Sequence, residues 1–136
     1  MSNLYNKPLP EVYAWTAPFW SETKNGRLML QRGKTTEKFI MYPKKYSPYD
    51  FTEEIEWVEA SGKGTIYSYS TVYANPPASF ADDLPFTVAI VELEEGVRLC
   101  TRIVDTPPDK IAIGVTVSPV YEKVTDDITL VYFKAE

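Results

Sequence analysis

The chain holds no histidine and a single cysteine, Cys100, among its 136 residues. Serine or cysteine nucleophiles that rely on an imidazole base therefore have no partner within it. A zinc site built from Cys and His also lacks its donors. Any chemistry would have to rest on carboxylates, lysines, tyrosines or Cys100. Two guanidiniums, Arg98 and Arg102, flank Cys100, and such neighbours lower a thiol pKa and raise its reactivity. The plainer reading is a small residue packed into a strand. Arg98 and Arg102 could instead meet a phosphate or carboxylate at an interface. The pairs Glu94-Glu95 and Asp82-Asp83 sit in turn and loop sequence and read as solvation. No residue is assigned a catalytic role.

Binding chemistry is better represented. Lys34, Lys38, Lys44 and Lys45 cluster within a short stretch of an otherwise acidic chain. They could read phosphates or an acidic partner surface, or simply offset the acidity of the rest. Tyr73, Phe80, Pro85 and Phe86 gather aromatic area around a loop, where an apolar ligand would find contact. The alternative is a loop packed over its own domain. Trp15, Phe19 and Trp20 read either as a helix face packed on the domain or as a partner anchor, since aromatics dominate interface hot spots.

Composition sets the outer bounds. The length suits one compact domain with a small appendage, and a hydrophobic content of 44% can form a core without disulfides. The first ten residues have neither a basic n-region nor an apolar run, so no secretory signal is expected. No apolar stretch is long enough to span a bilayer. These features together lead to the expectation of a cytoplasmic protein. The net charge of −5 argues against a general nucleic-acid binder, which needs a cationic groove.

The candidate residues need elements to position them. Residues 1–10 read as an extended arm broken by Pro8 and Pro10. From Glu11 to Asn25 the apolar spacing is helical, but Pro18 predicts a broken or late-starting helix, and Asn25-Gly26 signals its end. Arg27–Gln31 and Lys38–Tyr42 read as short strands around a turn at Gly33-Lys34. Phe51–Glu59 is expected to lead into a barrel. The remainder is β-rich: Thr65–Tyr73, Phe86–Glu94, Val97–Asp105, Ile111–Tyr121 and Asp127–Lys134. In the third of these strands Val97, Leu99, Thr101 and Ile103 share one face and Arg98, Cys100 and Arg102 the other. Five strands with a long second connection predict a small Greek-key barrel of OB type, with a plain β-sandwich as the alternative from pattern alone.

Four segments then carry a resemblance to a known family. They are Phe19-Trp20 followed by Asn25-Gly26-Arg27-Leu28; Trp57-Val58-Glu59-Ala60-Ser61-Gly62-Lys63-Gly64-Thr65-Ile66-Tyr67-Ser68; Pro85-Phe86 through Val91-Glu92-Leu93-Glu94-Glu95-Gly96; and Ile113-Gly114 with Val115 and Val117. In order and spacing they resemble the acyl-CoA-associated proteins grouped as domain of unknown function 35, a rubredoxin-like zinc ribbon followed by an OB-fold. The resemblance implies an arm and helix over residues 1–26, a ribbon over 27–52 and a barrel over 53–136. The family's ribbon carries two Cys-x-x-Cys pairs. Here Gly33 and Thr36, then Tyr46 and Tyr49, stand at those four positions, so the spacing survives and every thiolate is gone. No zinc is expected, and the tyrosines are expected to fill the vacated space.

The resemblance further implies an accessory subunit without catalytic activity of its own, serving a thiolase-like large subunit: a thiolase, an acyltransferase or a side-chain aldolase of lipid metabolism. Such a subunit supports complex assembly and helps hold the CoA thioester. Tyr73, Phe80, Pro85, Phe86, Lys44 and Lys45 are then the candidate acyl-CoA contacts. Trp15, Phe19, Trp20, Arg98 and Arg102 are the candidate partner contacts. A different class stays open: an independent OB-fold module for single-stranded nucleic acid or another small ligand, with Tyr67, Tyr69 and Tyr73 stacking bases from one strand face.

Overall fold

The computed structural model describes residues 5–136, so the part of the expected arm before Tyr5 lies outside the described residues. The arm reaches a turn at Tyr13–Thr16, and helix α1 spans Ala17–Thr23. The late start follows from Pro18. It sits in the first turn, where its missing N–H leaves no helical bond unmade. Gly26, at φ +72°, ends the helix with backbone bonds from Gly26 and Arg27 to Thr23 and Glu22.

A three-stranded antiparallel sheet follows, in the order β2-β1-β3, from β1 (Met29–Gly33), β2 (Phe39–Ile40) and β3 (Ile55–Glu59). The segment 55–59, expected to lead into the barrel, pairs with β1 along its whole length. The physical reason is a complete antiparallel ladder, from Met29↔Glu59 to Gly33↔Ile55. The chain's barrel begins only at Gly64.

The ribbon coheres through hydrogen bonds centred on one amide. Gln31 is 3% exposed, and its side chain accepts from Lys44 N–H at 2.7 Å and donates to Lys44 C=O at 2.8 Å. The second loop closes on buried Ser47, whose N–H reaches Thr52 and whose carbonyl accepts from Phe51. Tyr46 and Tyr49 do not fill the interior as expected: both are about half exposed, with Lys45 and Lys38 lying over their rings. Their phenol hydroxyls are better solvated outside, and the small Ser47 takes the inner position. At the first loop Thr36 Oγ1 occupies the space a Cβ on Gly33 would need.

Five strands close the barrel in the order β4-β5-β6-β8-β7: β4 (Gly64–Val72), β5 (Phe86–Leu93), β6 (Arg98–Ile103), β7 (Thr116–Lys123) and β8 (Thr129–Ala135). A bulge between Ile66 and Ser68 bends β4, so that it pairs with β5 along its length and with β7 at its start. A parallel rung joins β6 to β8. This is the OB-fold. Alternation along β5 and β6 puts Ala89, Val91, Leu93, Leu99 and Ile103 inside. They form one core with Ile66, Val117 and Phe133, and it continues into Phe19, Leu28, Leu30 and Ala60 from the helix and ribbon. Among the described residues no helix is long and apolar enough to cross a membrane.

Gly64 is where β4 passes between its two neighbours. A Cβ there would stand 2.7 Å from the Glu92 carbonyl oxygen and 2.9 Å from Val91 Cγ1. Backbone cannot yield as a side chain can. Gly64→Ala is therefore expected to destabilise by about 1–3 kcal/mol in urea titration, whereas Gly64 replaced without loss would mean the strand has room to slide.

Candidate functional site

The barrel closes on two short junctions, β4 with β7 over two rungs and β6 with β8 over one. Strands β6 and β8 share a single rung, Ile103↔Phe133, with a Val104 N–H to Phe133 C=O bond just beyond it. On the other side of that rung the strands part, and side chains take over the hydrogen bonding. Thr101 Oγ1 donates to Val131 C=O at 2.8 Å, and Cys100 N–H donates to Tyr42 Oη at 2.7 Å. Tyr42 thereby ties the ribbon to the barrel edge across 58 residues of sequence.

A cavity of about 600 Å³ opens over this β6–β8 seam. Its floor is Leu99–Arg102 and Leu130–Tyr132, and Met41, Tyr42 and Pro43 form the ribbon wall. Phe19 and Trp20 come from the helix, Tyr5, Pro10, Glu11, Tyr13, Trp15 and Thr16 from the arm, and Phe80 closes the far end. Tyr13 and Trp15 stack with centroids 4.9 Å apart and planes within 3°. The lining is thus largely aromatic and apolar, and the volume lies in the range typical of small-molecule sites.

Behind the lining, Arg102 of the floor meets Asp83. The carboxylate accepts from Arg102 Nη1 at 3.1 Å and pairs with Lys7 Nζ at 3.3 Å, joining the arm to β6. Burial works to raise the Asp83 pKa, but hydrogen bonds from Arg102 and Lys7 outweigh it and hold the carboxyl below its usual range. Arg102 lies 4.3 Å over the Phe86 ring and nearly 6 Å from those of Phe80 and Tyr132, the arrangement of a cation in an aromatic cage. Burial raises the Tyr132 hydroxyl to about 12. Because that value lies above the unfolded one near 10, folding holds the proton more tightly, and stability is lost as pH rises through this interval. A pH titration of the melting temperature is expected to show a fall above about pH 10, smaller in Tyr132→Phe. An identical fall in the variant would assign it elsewhere.

The sequence candidates divide accordingly. Trp15, Phe19, Trp20, Phe80 and Arg102 meet at the cavity. Phe19 is 7% exposed and packs in the core, so it serves the domain rather than a partner surface. Phe86 supports Phe80 and Arg102 from behind. Tyr73 is 72% exposed, and neither it nor Pro85 lines the cavity. Lys44 and Lys45 line a separate groove that shares Trp15 with the cavity. Arg98 points elsewhere, stacked 3.7 Å over Tyr67 and bonded to Glu92. Tyr67, Tyr69 and Tyr73 are exposed, but the bulge interrupts their alternation and Arg98 already covers the first ring.

Sequence reasoning missed Tyr42, Tyr132, Asp83 as a clamped carboxylate, and Lys7. Only the outward alternation of Arg102 could have signalled any of them. The four positions at which the resemblance leads one to expect zinc ligands hold Gly33, Thr36, Tyr46 and Tyr49, with no thiolate or imidazole among them, and this donor set does not fit zinc. Among the described residues no three His, Cys, Asp or Glu side chains come together to hold a metal ion.

Fold and site thus define an OB-fold protein with an aromatic cavity over the β6–β8 seam. The family described as "ChsH2, C-terminal OB-fold domain" matches residues 57–122. A DUF35 domain-containing scaffold protein of Pyrococcus furiosus is 32% identical over 79% of this chain and 79% of its own length. The chain belongs to the DUF35 family. A probable enoyl-CoA hydratase alpha subunit of Thermomonospora curvata is 33% identical over 94% of this chain but only 40% of its own. Indeed the chain spans between a third and just over half of the length of several curated relatives it matches. Among solved structures, an Ltp2-ChsH2(DUF35) aldolase chain superposes with a TM-score of 0.82 at 32% identity, covering 93% of this chain and 98% of the other.

Proposed function

We propose that this protein is a non-catalytic accessory subunit of a thiolase-like acyl-CoA enzyme, and that its seam cavity helps hold the acyl end of a CoA thioester. The cavity carries the reading. It is largely apolar and aromatic, its guanidinium is already paired with Asp83, and the one hydroxyl in its wall that meets a carboxylate is that of Tyr13, which donates to Glu11 at 2.8 Å at the arm. Such a wall is suited to binding and shielding an apolar group. The similar proteins support the direction, being named a scaffold protein, a hydratase alpha subunit and an aldolase with a DUF35 component.

The test is co-expression with a thiolase-like large subunit. The two are expected to co-elute and to turn over a CoA thioester only together. Separate elution at micromolar concentration, or turnover by the isolated chain, sinks the reading. The ribbon in this account needs no metal, since Gln31 and Ser47 provide its closure. Elemental analysis of the purified chain is expected to find zinc well below one equivalent, and stoichiometric zinc retained through a chelator wash would refute that.

A further inference from the structure

The strand edges of the ribbon are blunted in recognisable ways. Strand β2 is only two residues long, and β3 carries Glu56 and Glu59 after an approach through Glu53-Glu54. Short strands and charges of this kind keep an edge from recruiting another chain. Strand β4 has no such protection. It pairs with β7 only through Gly64 and Thr65, and the contact ends where Ile66 exchanges backbone bonds with Val115 and Gly114 at 3.0 and 2.8 Å. From Tyr67 to Val72, β4 pairs on one side alone, with β5. Among the described residues no backbone bond reaches its other side over that stretch.

Side-chain exposure agrees. The register sets Tyr69 opposite Ala89 and Thr71 opposite Thr87, whose hydroxyls meet at 2.9 Å, so Tyr69 and Thr71 share the face of β4 that turns to the core. Ala89 is 1% exposed and Thr87 is buried, yet Tyr69 is 41% exposed. Ser68 and Ser70, on the opposite face, are exposed as well. Both faces of one strand thus meet solvent at the same point. The strand is one neighbour short. Its sequence does nothing to repel one: Gly64 to Ala81 holds no charged residue, and Gly64 to Asn75 holds no proline.

We propose that this edge is a self-association surface, on which β4 of a second copy adds as an antiparallel strand and joins two barrels in a symmetric dimer. Unpaired backbone N–H and C=O groups select an extended strand as the occupant. Neutrality selects which strand. Each copy has a net charge of −5, and this edge lets two of them meet without opposing like charges. Arg98, stacked on Tyr67, is already neutralised by Glu92 at 2.9 Å. The run Tyr67-Ser68-Tyr69-Ser70 also suits its own reversal. A two-fold axis through Tyr69 sets that ring beside its copy and Ser68 across from Ser70 of the second copy. Such a contact closes at two copies, so it gives a dimer and not a fibre. In the barrel order the β6–β8 seam lies across from β4, so both cavities stay open. The inference does not depend on what they hold.

One added strand on each side makes a small contact, below about 1,200 Å², the range of weak and transient pairs. Sedimentation equilibrium of the parent chain, from about 10 µM to about 1 mM, is therefore expected to show a reversible monomer–dimer equilibrium with Kd on the order of 100 µM. Tyr69→Lys, which turns a charge inward on the edge, should weaken association at least about tenfold. Tyr69 is exposed, so this variant should melt with the parent; if it does not, Ser70→Lys makes the same test from the other face. Hydrogen exchange locates the contact. Amides between Tyr67 and Val72 should gain protection as concentration rises, while those of Leu130–Tyr132 at the seam should not. A parent that stays monomeric throughout, a dimer that tolerates both variants, or added protection confined to other elements overturns the proposal. So does a chain whose β4 amides are protected only by a thiolase-like large subunit, which would assign the edge to that partner.

Discussion

Phe133→Ala is expected to cost about 3–5 kcal/mol of folding stability, the range for deleting a large aromatic from a close-packed core. Phe133 is 0% exposed. It stands at the only rung between β6 and β8 and also pairs with Pro119 of β7. The cavity left behind would open at the point where the seam already parts, so the remaining backbone bond from Val104 loses its support. Domain stabilities are only about 5–15 kcal/mol, so the loss is a large fraction of the whole. Chemical denaturation should show a lower midpoint with a steeper loss than Phe133→Leu, which keeps most of the volume and should cost less than about 1.5 kcal/mol. If alanine and leucine behaved alike, Phe133 would not be the residue that closes the barrel.

The second large effect falls on the site. Arg102→Ala removes one of the two donors to Asp83 and takes the cation out of its ring cage. Lys7 remains, at 3.3 Å, so the carboxylate is not left unpaired. A loss of about 2–3 kcal/mol follows from one charged hydrogen bond plus the stacking. The pH dependence identifies the cause. Asp83 has a depressed pKa in the folded state, so its stabilisation is present above the unfolded value of about 3.9 and disappears as pH falls through the folded one. The gap between parent and variant should therefore be widest near neutral pH and shrink in acid. A gap independent of pH would mean that Arg102 contributes by packing alone. The cavity should respond too, because the loop bearing Phe80 is held to β6 through this pair; weaker binding of an acyl thioester is the expected result.

Much of the fold is legible because it is written in local rules. Alternation from Val97 to Ile103 placed Leu99, Thr101 and Ile103 inside and Arg98, Cys100 and Arg102 outside, and burial follows that division. Pro18 delayed the helix, and Gly26 and Gly96 fixed their turns through positive φ. The ordered motif segments carried the family. The candidate site was legible only in pieces: Trp15, Phe80 and Arg102 were found as types, without the cavity that joins them. Tyr42 gave no signal, because its role is set by a strand edge far along the chain.

By itself, then, the sequence determined the chemical limits. Without histidine and with one cysteine, this chain excludes imidazole-based catalysis and a thiolate zinc ribbon of its own, and its periodicities specify five main strands, which the motif segments assign to a barrel rather than a sandwich. The tertiary structure decided the rest. It placed 55–59 beside β1, turned Tyr46 and Tyr49 outward, buried Phe19, and parted β6 from β8 to make a cavity. These outcomes depend on which distant groups satisfy each other's hydrogen bonds and fill each other's volume, and no local period records that.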